Sequence, residues 1–140
     1  MAEKTLIKRK GDLPVVLFRP SIIASALEQP FPGWTDSLAA AGGITLVSGL
    51  GLVNYINTTG KSEFDLIPVD FVANGIIIAT AKQGISKSTN IEIYNCATSS
   101  TNPLTLLEYK NCVEDTCGYF SFNKKVFRVK VNFEGDKKVF

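Results

Sequence analysis

Leu13-Pro14-Val15-Val16-Leu17-Phe18, followed by Arg19-Pro20-Ser21, is the stretch on which the fold turns. A short unbroken apolar run with adjacent β-branched residues suggests a strand covered on both faces, and such strands belong to parallel sheets. Pro20 removes a ladder donor and the polar residues beside it turn the chain, so the strand is expected to end there. In open α/β sheets that carboxyl edge is where ligands sit.

Reading backward, Met1 to Lys10 has the composition of the last turns of a helix. Lys8, Arg9 and Lys10 stand at its negative end and Gly11 is placed to cap it. No N-cap precedes these residues, and the helix reads as cut. Reading forward, residues 28–36 hold two prolines and a glycine, which forbid regular structure, while Phe31 and Trp34 call for burial. Gly42-Gly43 then opens an apolar segment, residues 44–56, whose length favours helix despite Gly49 and Gly51. Residues 64–69 read as a strand, and Asp70 as the cap of an apolar helix over residues 71–82. Residues 91–96 form a further strand, and Asn102-Pro103 reads as N-cap and first position of a helix over residues 104–111. Strands alternating with helices define an α/β layer fold with parallel strands. In the tail, residues 125–133 read as a strand and the last residues as loose. The aromatic and basic residues interleaved there suit a half-buried strand with a solvated face.

The chain has 140 residues, 45% of them hydrophobic, which is one ordinary domain and too ordered a composition for global disorder. Fifteen Lys and Arg against thirteen Asp and Glu leave a net charge of +2, too weak a field for counterion-driven binding to nucleic acid. With no histidine, imidazole bases and His-ligated zinc are excluded. Cys96, Cys112 and Cys117 match no metal or thioredoxin spacing and read as reduced thiols, so no metal is expected. Nothing resembles a secretory signal or a bilayer-spanning run.

The chemistry a nucleotide-binding protein usually declares is missing. No glycine-rich turn follows the first strand, and Gly49-Leu50-Gly51 lies within the apolar segment. None of Tyr55, Tyr94, Tyr109 and Tyr119 is followed four residues later by lysine. Asp65 and Asp70 flank a strand rather than forming an acid and base pair, and Asp70 reads as a helix cap. No catalytic residue is expected in this chain.

Several segments together resemble the alcohol-forming fatty acyl-CoA reductases of the extended short-chain dehydrogenase superfamily. The first strand with Arg19-Pro20-Ser21-Ile22-Ile23 is similar to that family's strand and Arg-Pro-Ser turn. Glu28-Gln29-Pro30-Phe31-Pro32-Gly33-Trp34 resembles its most distinctive loop. Ile67-Pro68-Val69-Asp70-Phe71-Val72 resembles its Pro-Val-Asp helix start, and Tyr94-Asn95-Cys96 with Thr101-Asn102-Pro103-Leu104-Thr105 its closing strand and helix. Ala39-Ala40-Ala41-Gly42-Gly43 and Gly49-Leu50-Gly51 depart from the family pattern.

The resemblance implies a partial Rossmann-like α/β domain: the C-terminal half of the NAD(P)-binding domain with substrate-side insertions over residues 1–117. Residues 118–140 would be the start of, or the linker to, the family's C-terminal domain. It implies NADPH as cofactor, with Pro20, Ser21, Ile22 and Ile23 at the nicotinamide end, where backbone amides can reach a carboxamide. It implies long-chain fatty acyl-CoA as substrate, walled by Phe31 and Trp34, and reduced through the aldehyde to a fatty alcohol. It further implies membrane-surface association of the intact protein at peroxisome or endoplasmic reticulum. The family's Tyr-x-x-x-Lys pair would lie just before Met1, so the chain alone is expected to be inactive. Two other readings stay open: a thioester reductase domain of a carboxylic-acid reductase or peptide synthetase, and a non-catalytic interaction remnant.

Overall fold

The computed structural model describes residues 2–119 and 129–133. Helix α1 (Ala2–Arg9) ends where expected: the Lys10 amide closes on the Leu6 carbonyl at 2.9 Å, and Gly11 follows at φ +55°, a conformation that favours glycine.

Strand β1 (Val16–Pro20) pairs in parallel with β5 (Glu92–Cys96), and β2 (Ile22–Ala24) with β4 (Leu66–Pro68). The first strand starts three residues later than the apolar run and carries its pairing through Pro20, opposite Cys96. Leu13, 65% exposed, stays outside it, and the strand is half-buried to exposed rather than covered on both faces. Proline is tolerated at this last rung because the next donor needed, the Ser21 amide, reaches the Cys96 carbonyl at 2.9 Å. One residue later the Ile22 amide donates to the Asp65 carbonyl at 3.1 Å. Ser21 is therefore the junction at which the chain leaves one strand partner for another.

Helix α2 (Ala41–Gly49) corrects the expectation of a helix over residues 44–56. It starts earlier and stops at the glycine pair, where Gly51 takes φ +75°; the chain then forms β3 (Tyr55–Ile56), parallel to β6 (Asn132–Phe133). The expected strand over residues 125–133 is seen only in its last two residues, and residues 125–128 lie outside the described residues, as do residues 134–140.

Helix α3 (Val69–Ser86) packs on β1, β2, β4 and β5. Val72, Ala79 and Gln83 are buried, and Gly75 meets the Phe18 ring so closely that a Cβ would lie 2.6 Å from its Cζ. Ile77, Ile78 and Ile85 on the same helix are exposed. Lys82 ties the helix to β5 through Glu92 at 3.0 Å and the Tyr94 hydroxyl at 2.7 Å. Asp70 is not the cap of α3: Pro68 precedes the helix with no side-chain cap, and the Asp70 carboxylate is engaged elsewhere.

Helix α4 (Leu106–Tyr119) starts two residues later than expected. Thr105, not Asn102, begins it. The Glu108 amide donates to Thr105 Oγ1 at 3.2 Å, and the Thr105 amide donates to the Glu108 carboxylate at 2.8 Å, a reciprocal capping box. The next amides, Leu106 and Leu107, donate to the Ser62 and Gly60 carbonyls, both at 3.0 Å. Thr105→Ala is accordingly expected to cost about 1 kcal/mol, lowering the thermal midpoint by about 3 °C in a melting experiment. Val131, buried, donates its amide to Glu114 of α4 at 2.6 Å and so seats β6 on that helix.

Candidate functional site

A cleft of about 840 Å³ opens where β1 hands over to β2. Its floor and walls come from Ser21, Ile22 and Ile23 at the junction, Trp34 from the following loop, Thr45 from α2 and Tyr109 from α4. The lining thus starts one residue after Pro20, which stands exposed at the strand end. Trp34 is half-buried, whereas Phe31 is 59% exposed at the outer part of its loop, which corrects the expectation that both aromatics are buried. Pro30 and Pro32 flank Phe31, while Trp34 and its neighbour Gly33 make backbone bonds to Ala26.

Those bonds close the neck of the loop. The Ala26 amide donates to the Trp34 carbonyl and the Gly33 amide to the Ala26 carbonyl, both at 2.9 Å, with Ala26 itself 4% exposed. Beyond the neck, the Asp70 carboxylate accepts the amides of Leu27 at 3.1 Å, Glu28 at 2.9 Å and Gln29 at 3.2 Å. These bonds, the Glu28 amide foremost, lower its pKa to about 2.

Asp65 does the corresponding work on the other side of β4. It accepts the Thr98 amide at 2.9 Å, the Thr98 hydroxyl at 3.0 Å and the Ser99 amide at 3.3 Å, which hold its carboxyl far below the usual range, the Thr98 amide contributing most. The Ser21 hydroxyl lies near enough to add to that shift, yet its oxygen is buried with no partner at hydrogen-bond geometry. An orphaned buried hydroxyl is uncommon in a native fold.

On the helical side of the cleft, Tyr109 and Thr45 face each other with their hydroxyl oxygens 2.5 Å apart, and Thr45 donates to the Ala41 carbonyl at 2.7 Å. Burial pushes the Tyr109 phenol up, so it stays protonated at neutral pH. The polar lining is hydroxyls and backbone groups with one carboxylate, Asp36. Such a surface can bind and orient a largely apolar ligand with a few polar groups. Thr45, Tyr109 and the anchoring roles of Asp65 and Asp70 were not visible beforehand, since a tyrosine or threonine on an apolar helix reads as core. The Lys82, Glu92 and Tyr94 cluster lines no part of this cleft.

Parallel strand pairs with helices packed on them, and a cleft at the carboxyl ends of β1 and β2, define an α/β protein of the kind that binds nucleotides at strand ends. Residues 1–76 match the NAD-binding family model described as Male sterility protein, and the chain belongs to that family. It is 36% identical to fatty acyl-CoA reductase 1 of Homo sapiens over 103 residues, which is 74% of this chain and 20% of that protein. It is 37% identical to the probable fatty acyl-CoA reductase 5 of Arabidopsis thaliana over 108 residues, 77% of this chain and 22% of that protein. A chloroplastic fatty acyl-CoA reductase 2 of the same plant is 36% identical over 107 residues. The chain spans about a fifth of the length of the curated relatives it matches. Among the described residues no helix is long and apolar enough to cross a membrane.

Proposed function

We propose that this chain supplies the back portion of the NAD(P)-binding domain of an NADPH-dependent fatty acyl-CoA reductase, shaping the site where a long-chain fatty acyl-CoA is reduced through the aldehyde to a fatty alcohol. The observation that carries the reading is the cleft itself, which gathers Ser21, Ile22 and Ile23 from the strand end with Trp34 from the loop. Ser21, Ile22 and Ile23 are assigned to the nicotinamide end of the cofactor, with Pro20 ending the strand that presents them. Ser21, whose hydroxyl lies beside the Asp65 carboxylate, lines the cleft with polar groups suited to a carboxamide, which both donates and accepts. Bound there, the cofactor would supply the hydride.

The chain's own residues bind and orient. Trp34 is assigned to the wall against the acyl chain, with Phe31 at the outer tip of the same loop. Apolar burial against such a wall is worth about 25 cal/mol per Å². Residues 1–117 belong in this reading to the cofactor domain, and residues 118–140 to the start of, or linker to, the next.

The test is an exchange. The matching segment of a fatty acyl-CoA reductase is replaced by residues 1–110 of this chain, and alcohol formation from acyl-CoA and NADPH is followed. Activity is expected, with Ser21→Ala raising KM for NADPH and Trp34→Ala raising KM for acyl-CoA. A folded but inactive exchange protein, or unchanged constants in both variants, would overturn the assignment. The 140-residue chain alone, which has no glycine-rich phosphate turn and no Tyr-x-x-x-Lys, is expected to give no calorimetric signal with NADPH.

A further inference from the structure

We propose that Asp70 is the positioning residue of the cleft wall: by gathering three successive backbone amides it holds the loop of residues 27–36 in the arrangement that sets Trp34 against the cleft. This stands whichever ligand the cleft takes.

Between residues 27 and 34 the loop's internal backbone bond is that of the Trp34 amide to the Phe31 carbonyl at 3.1 Å. Pro30 and Pro32 have no amide hydrogen, so between Gln29 and Gly33 only Phe31 has a backbone donor to offer. Gly33 sits at φ +83°, a conformation without side-chain support. The two neck bonds at Ala26 fix where the loop starts and ends, but they leave the direction of residues 27–29 open. That direction is set from outside. Three consecutive amides converge on the two oxygens of one carboxylate, Leu27 on Oδ1 and Glu28 and Gln29 on Oδ2. Convergent amides form a concave donor surface for which an anion is the natural partner.

The carboxylate is itself well placed. Pro68 pairs with Ala24 on the last rung between β4 and β2, and Asp70 follows two residues later in the first turn of α3. The strand rung that launches the loop on one side therefore launches its anchor on the other. Val69, the neighbour of Asp70, lines the cleft together with Trp34, so one helical turn sets both the wall and the loop facing it. Within helix α3 the carboxylate meets its own backbone amide, whereas its other amide partners, Leu27, Glu28 and Gln29, all belong to the loop. Its loss should free the loop and leave the helix.

Trp34 is the sole tryptophan of the chain, so its emission reports on this loop alone. In the 140-residue protein, Asp70→Ala and Asp70→Asn are expected to shift that emission to longer wavelength. Acrylamide quenching should rise by about twofold, the signature of local opening, while far-ultraviolet ellipticity is kept. Asp70→Glu, which retains both oxygens, should move quenching back toward the wild-type value. In the wild type, the Leu27, Glu28 and Gln29 amides should exchange with solvent more slowly than the Phe31 amide. Unchanged quenching in Asp70→Ala and Asp70→Asn would overturn the proposal. So would wild-type exchange at residues 27–29 as fast as at Phe31, a measurement that needs no variant. Loss of ellipticity in both variants would also overturn it, by making Asp70 a residue of the whole fold rather than of the loop.

Discussion

Gly43→Ala is expected to lower stability while the same change at Gly84 raises it, although both glycines lie in helices. At Gly43 an added Cβ would come within 2.4 Å of the Leu38 carbonyl oxygen, and at Gly42 within 2.8 Å of the Ser37 carbonyl oxygen. Both obstacles are backbone, so neither can rotate aside. They belong to the segment that crosses the start of α2 and lines the cleft. Overpacking of this kind costs about 1–3 kcal/mol, against about 1 kcal/mol gained from the better helix propensity of alanine. At Gly84, in α3, nothing lies within 4 Å, and only the propensity gain of about 1 kcal/mol remains. Calorimetric melting of the two variants should therefore place them on opposite sides of the wild type, each kcal/mol moving the midpoint by about 2–4 °C. A Gly43→Ala protein as stable as Gly84→Ala would mean that the segment of residues 37–40 does not rest on α2 as described. Gly42→Ala, with the wider gap, should fall between them.

The same glycine pair shows what local pattern could reveal. Gly42-Gly43 marked the entry to an apolar segment, but the backbone carbonyls of Ser37 and Leu38 that crowd the pair were not legible. The extent of the helix was not legible, because an apolar run without a 3.6-residue period looks alike as helix or turn. What ends α2 is the positive φ of Gly51, a backbone property that composition does not carry. The strand ending at Pro20, a further strand over residues 91–96 and an apolar helix over residues 71–82 could be read from apolar runs and turn residues, but not the pairing of the two strands nor the full length of α3. The clustering of Ser21, Ile22 and Ile23 with Trp34 came instead from the resemblance of two separate segments to one family. Asp70 illustrates the limit of local reading. A carboxylate at the head of a helix can accept its own helix amides or those of a loop some forty residues earlier with equal chemistry, and only the fold chooses. Thr105 is different: Thr-x-x-Glu from Thr105 to Glu108 is a legible capping signature, and Asn102-Pro103 drew the helix start away from it.

Asp65→Asn is expected to destabilise the protein at neutral pH and to lose that effect in acid. The wild-type carboxylate accepts two hydrogen bonds from Thr98 and one from Ser99, all of which favour the anion. Asparagine keeps one acceptor oxygen and turns an amino group toward donors, so at least one of the three must go unpaired. Charge-assisted bonds are worth about 1.5–3 kcal/mol when buried, and screening at this half-buried site reduces the expected total to about 1–2 kcal/mol. The folded-state pKa is depressed, the Thr98 amide being the largest cause. A native state that holds the proton less tightly than the unfolded chain gains stability from the group above the unfolded pKa of about 3.9, and loses it as pH falls through the folded value. The stability gap between wild type and variant should therefore be full from neutral pH down to about pH 4 and narrow steadily below it. The difference between the two proteins is the quantity to follow, because Asp70, Glu3, Glu92 and Glu108 also have lowered pKa values and shape both acid limbs. A gap that is absent at neutral pH, or that stays constant into acid, would contradict the role given to Asp65. Because the Asp65 carbonyl also receives the Ile22 amide, and Thr98 Oγ1 shares its one proton between the Asp65 carboxylate and the Leu66 carbonyl 2.9 Å away, the variant should exchange the Ile22 and Thr98 amides faster. Those amides flank Ser21, so loosening them would loosen the edge of the cleft at the point where one strand becomes the next.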